Sequence, residues 1–115
     1  MRRVKNYIIQ KESYDDMYKA GRFNPSLEVT FRDKVGIYTH KLSAGYSDDI
    51  EVYREHGEIY VLSRNRNLGY VGLEVFSGAD IAGDMFLQGD SVNEVLGHDD
   101  IAPFTIIRRM REYIH

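Results

Sequence analysis

The side chains that could carry chemistry in this chain are four histidines, nine tyrosines and a late run of acids; there is no cysteine. His40, Lys41 and His56 have the residue types of an acid–base ribonuclease, one imidazole accepting a proton while the other donates one. That chemistry requires the two rings to meet. His56 reads as the leading residue of a tight turn, a position His tolerates. His40 reads as a strand residue beside Tyr38 and Leu42. Nothing in the spacing forces the histidines together, so no residue is assigned as catalytic.

His98-Asp99-Asp100 offers oxygen and nitrogen donors to a metal, but a site needs three or four ligands, and neither a His-x-x-x-His pair nor an EF-hand loop is present. The simpler reading is a loop with Asp100 capping the following helix. Gly69 and Gly72 lie in a strand pattern, and no Gly-x-Gly-x-x-Gly or Walker sequence occurs. None of Ser43, Ser47, Ser63, Ser77 and Ser91 sits in a Gly-x-Ser-x-Gly elbow. No cofactor or metal is expected. Missing cysteines exclude disulfides, thiolate nucleophiles and cysteine metal sites, and suit a reducing, cytoplasmic setting.

Arg64 and Arg66 flank a turn, with Tyr60 and Tyr70 on the adjoining strands. Arginines beside sheet aromatics hold and stack single-stranded nucleic acid. Arg64, Arg66 and Tyr70 are therefore the candidate residues for a nucleic-acid reading. Against it, residues 68–76 match the RNP1 signature only at Gly69-Tyr70, and the βαββαβ order is missing. The chain is also acidic, with a net charge of −3 and an isoelectric point near 5.8, which opposes phosphate binding.

Charge is segregated along the chain. Residues 1–58 hold ten basic and ten acidic side chains, whereas no Lys or Arg occurs between Arg66 and Arg108. That interval contains Glu74, Asp80, Asp84, Asp90, Glu94, Asp99 and Asp100, a local charge of about −7. On one face these acids would steer a cationic partner. On separate turns they would simply be good turn residues. Tyrosine is also enriched at binding surfaces. The expected function is a small soluble protein-interaction module, a regulator or inhibitor of another macromolecule. Its partner-binding residues would be Asp80, Asp84, Asp90, Glu94, Asp99, Asp100, Tyr53 and Tyr60. No membrane partner is expected, and an exposed strand edge would allow a homodimer.

These residues need a scaffold. A chain of 115 residues is a common domain size, and no linker, repeat or low-complexity tract interrupts it, so one domain over 1–115 is expected. Ser13 with Asp16 three residues on predicts a capped helix through Ala20, stopped by Gly21. Residues 4–9 suit a strand. Leu27, Val29 and Phe31 alternate with polar residues as a half-buried strand, followed by a two-residue turn at Asp33-Lys34 and a strand over 35–42.

His56-Gly57 predicts a hairpin between 50–55 and 58–63. Its register sets Arg54 opposite Ile59, Val52 opposite Val61, Ile50 opposite Ser63 and Tyr53 opposite Tyr60. Ile50, Val52, Ile59 and Val61 would form the core face, and the tyrosines the other. A three-residue loop at Ser77–Ala79 would pair Val75 with Ile81, Leu73 with Gly83 and Val71 with Met85. Ser91 with Glu94 predicts a second capped helix over 92–96, ended by Gly97. A final helix from Pro103 aligns Phe104, Ile107, Met110 and Ile114 on one face. The expected fold is α+β: an antiparallel meander of about five to six strands, an open sheet or small barrel. The C-terminal helix would pack on it, with short N-terminal and penultimate helices.

Overall fold

A computed structural model describes residues 1–32, 34–42, 49–97 and 101–114. Among these, eight antiparallel strands and three helices form two open sheets, an α+β fold with a C-terminal helix. The chain divides into two compact units, Lys5–Tyr46 and the combination of Met1–Val4 with Ser47–His115.

The first unit, Lys5–Tyr46, is a three-stranded meander with one helix. Of the strand expected over 4–9 only 7–9 are strand, within β2 (Tyr7–Lys11); a separate strand β1, Arg2–Arg3, precedes it and belongs to the other unit. Helix α1, Tyr14–Lys19, starts where expected because Ser13 Oγ accepts the Asp16 N–H at 3.1 Å. It ends at Gly21, whose φ is +70°. Strand β3, Leu27–Arg32, buries Leu27, Val29 and Phe31 on one face, as the alternation requires. Strand β4 is Ile37–Leu42, and Arg32 pairs with Ile37. Four residues, not two, therefore separate the paired strands; Asp33 itself lies outside the described residues.

The second unit holds β5 (Asp49–Glu55), β6 (Glu58–Asn65), β7 (Tyr70–Ser77) and β8 (Asp80–Gln88) as a meander, with β1 added beside β5. The β5–β6 register is the expected one at all four pairs, including Tyr53 with Tyr60. His56 takes φ +50° and Gly57 φ +78°, the left-handed pair that a two-residue hairpin needs.

Helices α2 (Asp90–Leu96) and α3 (Pro103–Tyr113) complete this unit. Ile106, Ile107, Met110 and Ile114 form a cluster with Tyr53, Tyr60, Leu62, Leu73, Val75 and Leu87. Burying each aliphatic side chain of α3 contributes roughly 1.5–3 kcal/mol. The face under the helix is thus the tyrosine face, which corrects the expected orientation of the sheet. Val52, Ile59 and Val61 on the opposite face are buried too. Phe104 is less buried than expected, 41% exposed, with its ring edge-on to Tyr53.

Two local expectations change. The β7–β8 loop is the two residues Gly78-Ala79, since Ser77 pairs with Asp80. Phe76 then pairs with Ile81 but Val75 with Gly83, leaving Ala82 as an extra residue. This bulge restores the face match that a plain two-residue hairpin would lose, setting Leu73 opposite Met85 and Val71 opposite Leu87. Helix α2 begins before Ser91. Its N-cap is Gly89, and Ser91 Oγ instead bonds Gln88, accepting its N–H at 3.0 Å and donating to its carbonyl at 2.7 Å. Gly97 ends α2 at φ +82° as expected.

Candidate functional site

The acidic residues fall on β8 and on the helix that follows it. Strand β8 is the outermost strand of its sheet, and among the described residues no strand pairs with its outer edge. Asp80, Asp84, Asp90 and Glu94 are all exposed. They do not share one sheet face. Asp80 lies opposite Ser77 and Asp84 opposite Glu74, and side chains three apart on β7 point to opposite sides. Glu74 is buried, unlike Asp80, Asp84, Asp90 and Glu94. Asp99 and Asp100 lie outside the described residues.

Beyond the bulge, Gly83–Gln88 is a regular six-residue run. Asp84, Phe86 and Gln88 alternate on one face of it. Phe86 is 56% exposed although its ring touches Tyr70 at a centroid distance of 5.1 Å. Ile81, just before the bulge, is also exposed. The charge count drew attention to this strand, but Ile81 was expected opposite Val75 on the apolar face and Phe86 was not assigned, because an isolated Phe or Ile on a strand reads as core.

Tyr53 and Tyr60 are 3% and 5% exposed. They pack under α3, which corrects their expected place on an open surface. Each hydroxyl donates to a carboxylate two residues earlier on its own strand, Tyr53 to Glu51 at 3.2 Å and Tyr60 to Glu58 at 3.0 Å. Burial raises the pKa of both phenols, and the adjacent carboxylates raise it further. Among the described residues the exposed tyrosines are Tyr14 and Tyr18, one turn apart on α1, and Tyr113. Phe23, in the connection after α1, is 94% exposed. Sequence reading passed over these residues; the helical i, i+4 spacing of Tyr14 and Tyr18 beside polar neighbours was the available signal.

The nucleic-acid candidates also change character. Tyr70 is 6% exposed and offers no open ring for a base to stack on. Its hydroxyl is buried without a hydrogen-bond partner among the described residues. Arg64 lies in β6 and is held by Glu51 at 3.3 Å and Asp49 at 3.4 Å, which offset its charge. Arg66 stands exposed in the β6–β7 turn, without an ion pair among the described residues. That turn is closed by Asn65, whose Oδ1 accepts the Leu68 N–H at 2.9 Å.

Arg64, Arg66 and Tyr70 also border a cavity of about 530 Å³ in this unit, between the β6–β7 end of the sheet and helices α2 and α3. Val71, Val92, Leu96, Ile101 and Ile106 supply its apolar lining, and Asn65 and Asn93 add amides.

The two described histidines, His40 and His56, fall in different units. His40 stacks on Phe31 at 5.6 Å within Lys5–Tyr46. His56 belongs to the other unit, its side chain 88% exposed at the hairpin turn. Neither unit contains both. Among the described residues no three His, Asp or Glu side chains gather as metal ligands, and no helix is long and apolar enough to cross a membrane.

No protein-family model matches the chain, and no match to it is found among the curated proteins or the solved structures.

Proposed function

We propose that this protein is an interaction module whose β8 edge receives an extended, basic segment of a partner protein. The observation that supports this most directly is the regular run Gly83–Gln88, whose outer edge no strand joins among the described residues and which carries exposed Asp84 and, two residues on, exposed Phe86. A strand edge presents a row of main-chain donors and acceptors, and an added strand gains affinity from them. Side chains at alternate positions then set specificity. Asp84 favours Lys or Arg in the incoming strand, and Phe86 offers it an apolar contact. Asp90 and Glu94, exposed on the helix that follows, extend the negative field beyond the strand.

An edge-protecting role accounts for part of the same pattern, since charges and bulges also keep sheet edges from aggregating. The two roles differ in what binds. Selection from a displayed library of extended peptides should enrich Lys/Arg-rich sequences with alternate apolar positions. Their binding should protect the amides of Gly83–Gln88 from hydrogen exchange. Asp84→Lys should weaken binding by about 1–2 kcal/mol, roughly five- to thirtyfold, and the remaining affinity should depend less on salt. Enrichment of neutral or acidic peptides, or protection confined to other strands, would overturn the proposal.

A further inference from the structure

The cavity beside Arg66 is a second feature with chemistry of its own, separate from the β8 edge. Close-packed interiors leave few voids larger than a water molecule. Here a hollow of about 530 Å³ is lined by Val71, Leu96 and Ile106, all buried, and by half-buried Val92 and Ile101. Its volume falls within the roughly 300–1,000 Å³ of small-molecule sites, and its make-up matches theirs: an apolar lining with a few polar groups.

The polar groups select the ligand. Arg64 is already engaged by Asp49 and Glu51. Arg66 is exposed and unpaired among the described residues, and Asn93, exposed on α2, adds an amide that can donate. No carboxylate is among the residues described as lining the cavity. An anionic head therefore meets a cation and an amide donor at the cavity, while an apolar body displaces water from the aliphatic lining.

We propose that this cavity binds a small amphipathic acid: an aromatic or short aliphatic body carrying a single carboxylate, with the carboxylate at Arg66.

The test uses the whole protein with two probes, 4-phenylbutyrate and the uncharged 4-phenylbutanol, followed by methyl-detected NMR. The expected result is saturable shifts at the methyls of Val71, Val92, Leu96, Ile101 and Ile106. The acid should bind about tenfold more tightly than the alcohol, or roughly 1.4 kcal/mol. Arg66→Glu should abolish that preference while leaving alcohol binding in place. Val92→Trp, which fills the hollow, should remove both. Three results would overturn the assignment: no shift with either probe up to its solubility, equal affinity for acid and alcohol in the unaltered protein, or shifts centred outside these five residues. Arg66 is exposed, so its variant keeps the test decisive even if Val92→Trp fails to fold.

Discussion

The phenol groups of Tyr53 and Tyr60 are buried beneath α3, each bonded to a carboxylate of its own strand. A phenol whose pKa is higher in the folded chain favours folding while it stays protonated. That contribution is complete below the unfolded value of about 10 and is lost as pH rises through the folded value. Stability should therefore fall as pH climbs above 10. Tyrosinate absorbance of the native protein should show a late step that is missing after denaturation and in the Tyr53→Phe/Tyr60→Phe double variant. A native titration that superimposes on the denatured one would refute the raised values.

Gly83 is a second residue set by α3. A Cβ placed there would collide with Ile114 Cγ2. Gly83→Ala should cost about 1–3 kcal/mol as an overpacking change. Added to Ile114→Ala, it should cost almost nothing more. Full additivity in denaturant titrations would show that the two residues do not meet. At this scale the sequence was legible where one residue makes one local bond, as at Ser13 or His56-Gly57. It misled at Tyr53 and Tyr60 because both faces of β6 are buried. Alternation then separates two faces without saying which one a helix covers.

The β7–β8 hairpin teaches the same lesson for an element. The expected pairs of Val75 with Ile81, Leu73 with Gly83 and Val71 with Met85 are each displaced by two residues, to Gly83, Met85 and Leu87, although Val71, Leu73 and Val75 still meet small or apolar partners on β8. The count of residues could be reconciled with that in two ways, a longer loop or a bulge, and the chain uses the bulge at Ala82. Deleting Ala82 should leave every side chain on its present face. Ile81 would still oppose Phe76, and Gly83 would still oppose Val75. The expected product is a folded protein with a straighter, longer edge and a greater tendency to self-associate, because bulges blunt sheet edges. Sedimentation at increasing concentration measures this. Loss of the cooperative unfolding transition on deletion would mean that the bulge is required for folding.

Helix α2 shows why its predicted capping box failed. Ser91 is used to close the turn out of β8, bonding Gln88 through both its donor and its acceptor. At the other end the Arg109 guanidinium of α3 donates to the carbonyl of Leu96, a cap built from distant sequence that no local motif could announce.

For the whole molecule, the acid-rich interval was the most visible feature in sequence, and its members prove to be spread over both faces of β8, over α2 and, with Glu74, into the interior. Charge density along a chain is not charge density in space, since the strand pleat divides neighbours between faces. The division into two units was not legible in composition: the passage at Tyr46–Ser47 falls in the Ser- and Gly-containing stretch 43–49, which reads as one more loop between strands, and the passage at Val4–Lys5 carries no Gly, Pro or Ser.

That division has a bearing on synthesis. Strand β1 pairs with β5, Arg2 opposite Arg54 and Arg3 opposite Tyr53, and Val4 N–H donates to the Val52 carbonyl at 2.7 Å. Everything in Lys5–Tyr46 is translated between these partners. A nascent chain leaving the ribosome can close its β2–β3–β4 hairpins from near neighbours while β1 still lacks a strand to join. An ordered insert of this kind would shorten the effective loop that β1 must close, which otherwise carries the entropy of a span of about fifty residues. Strand β1 would then be made before Lys5–Tyr46 but find its place after it.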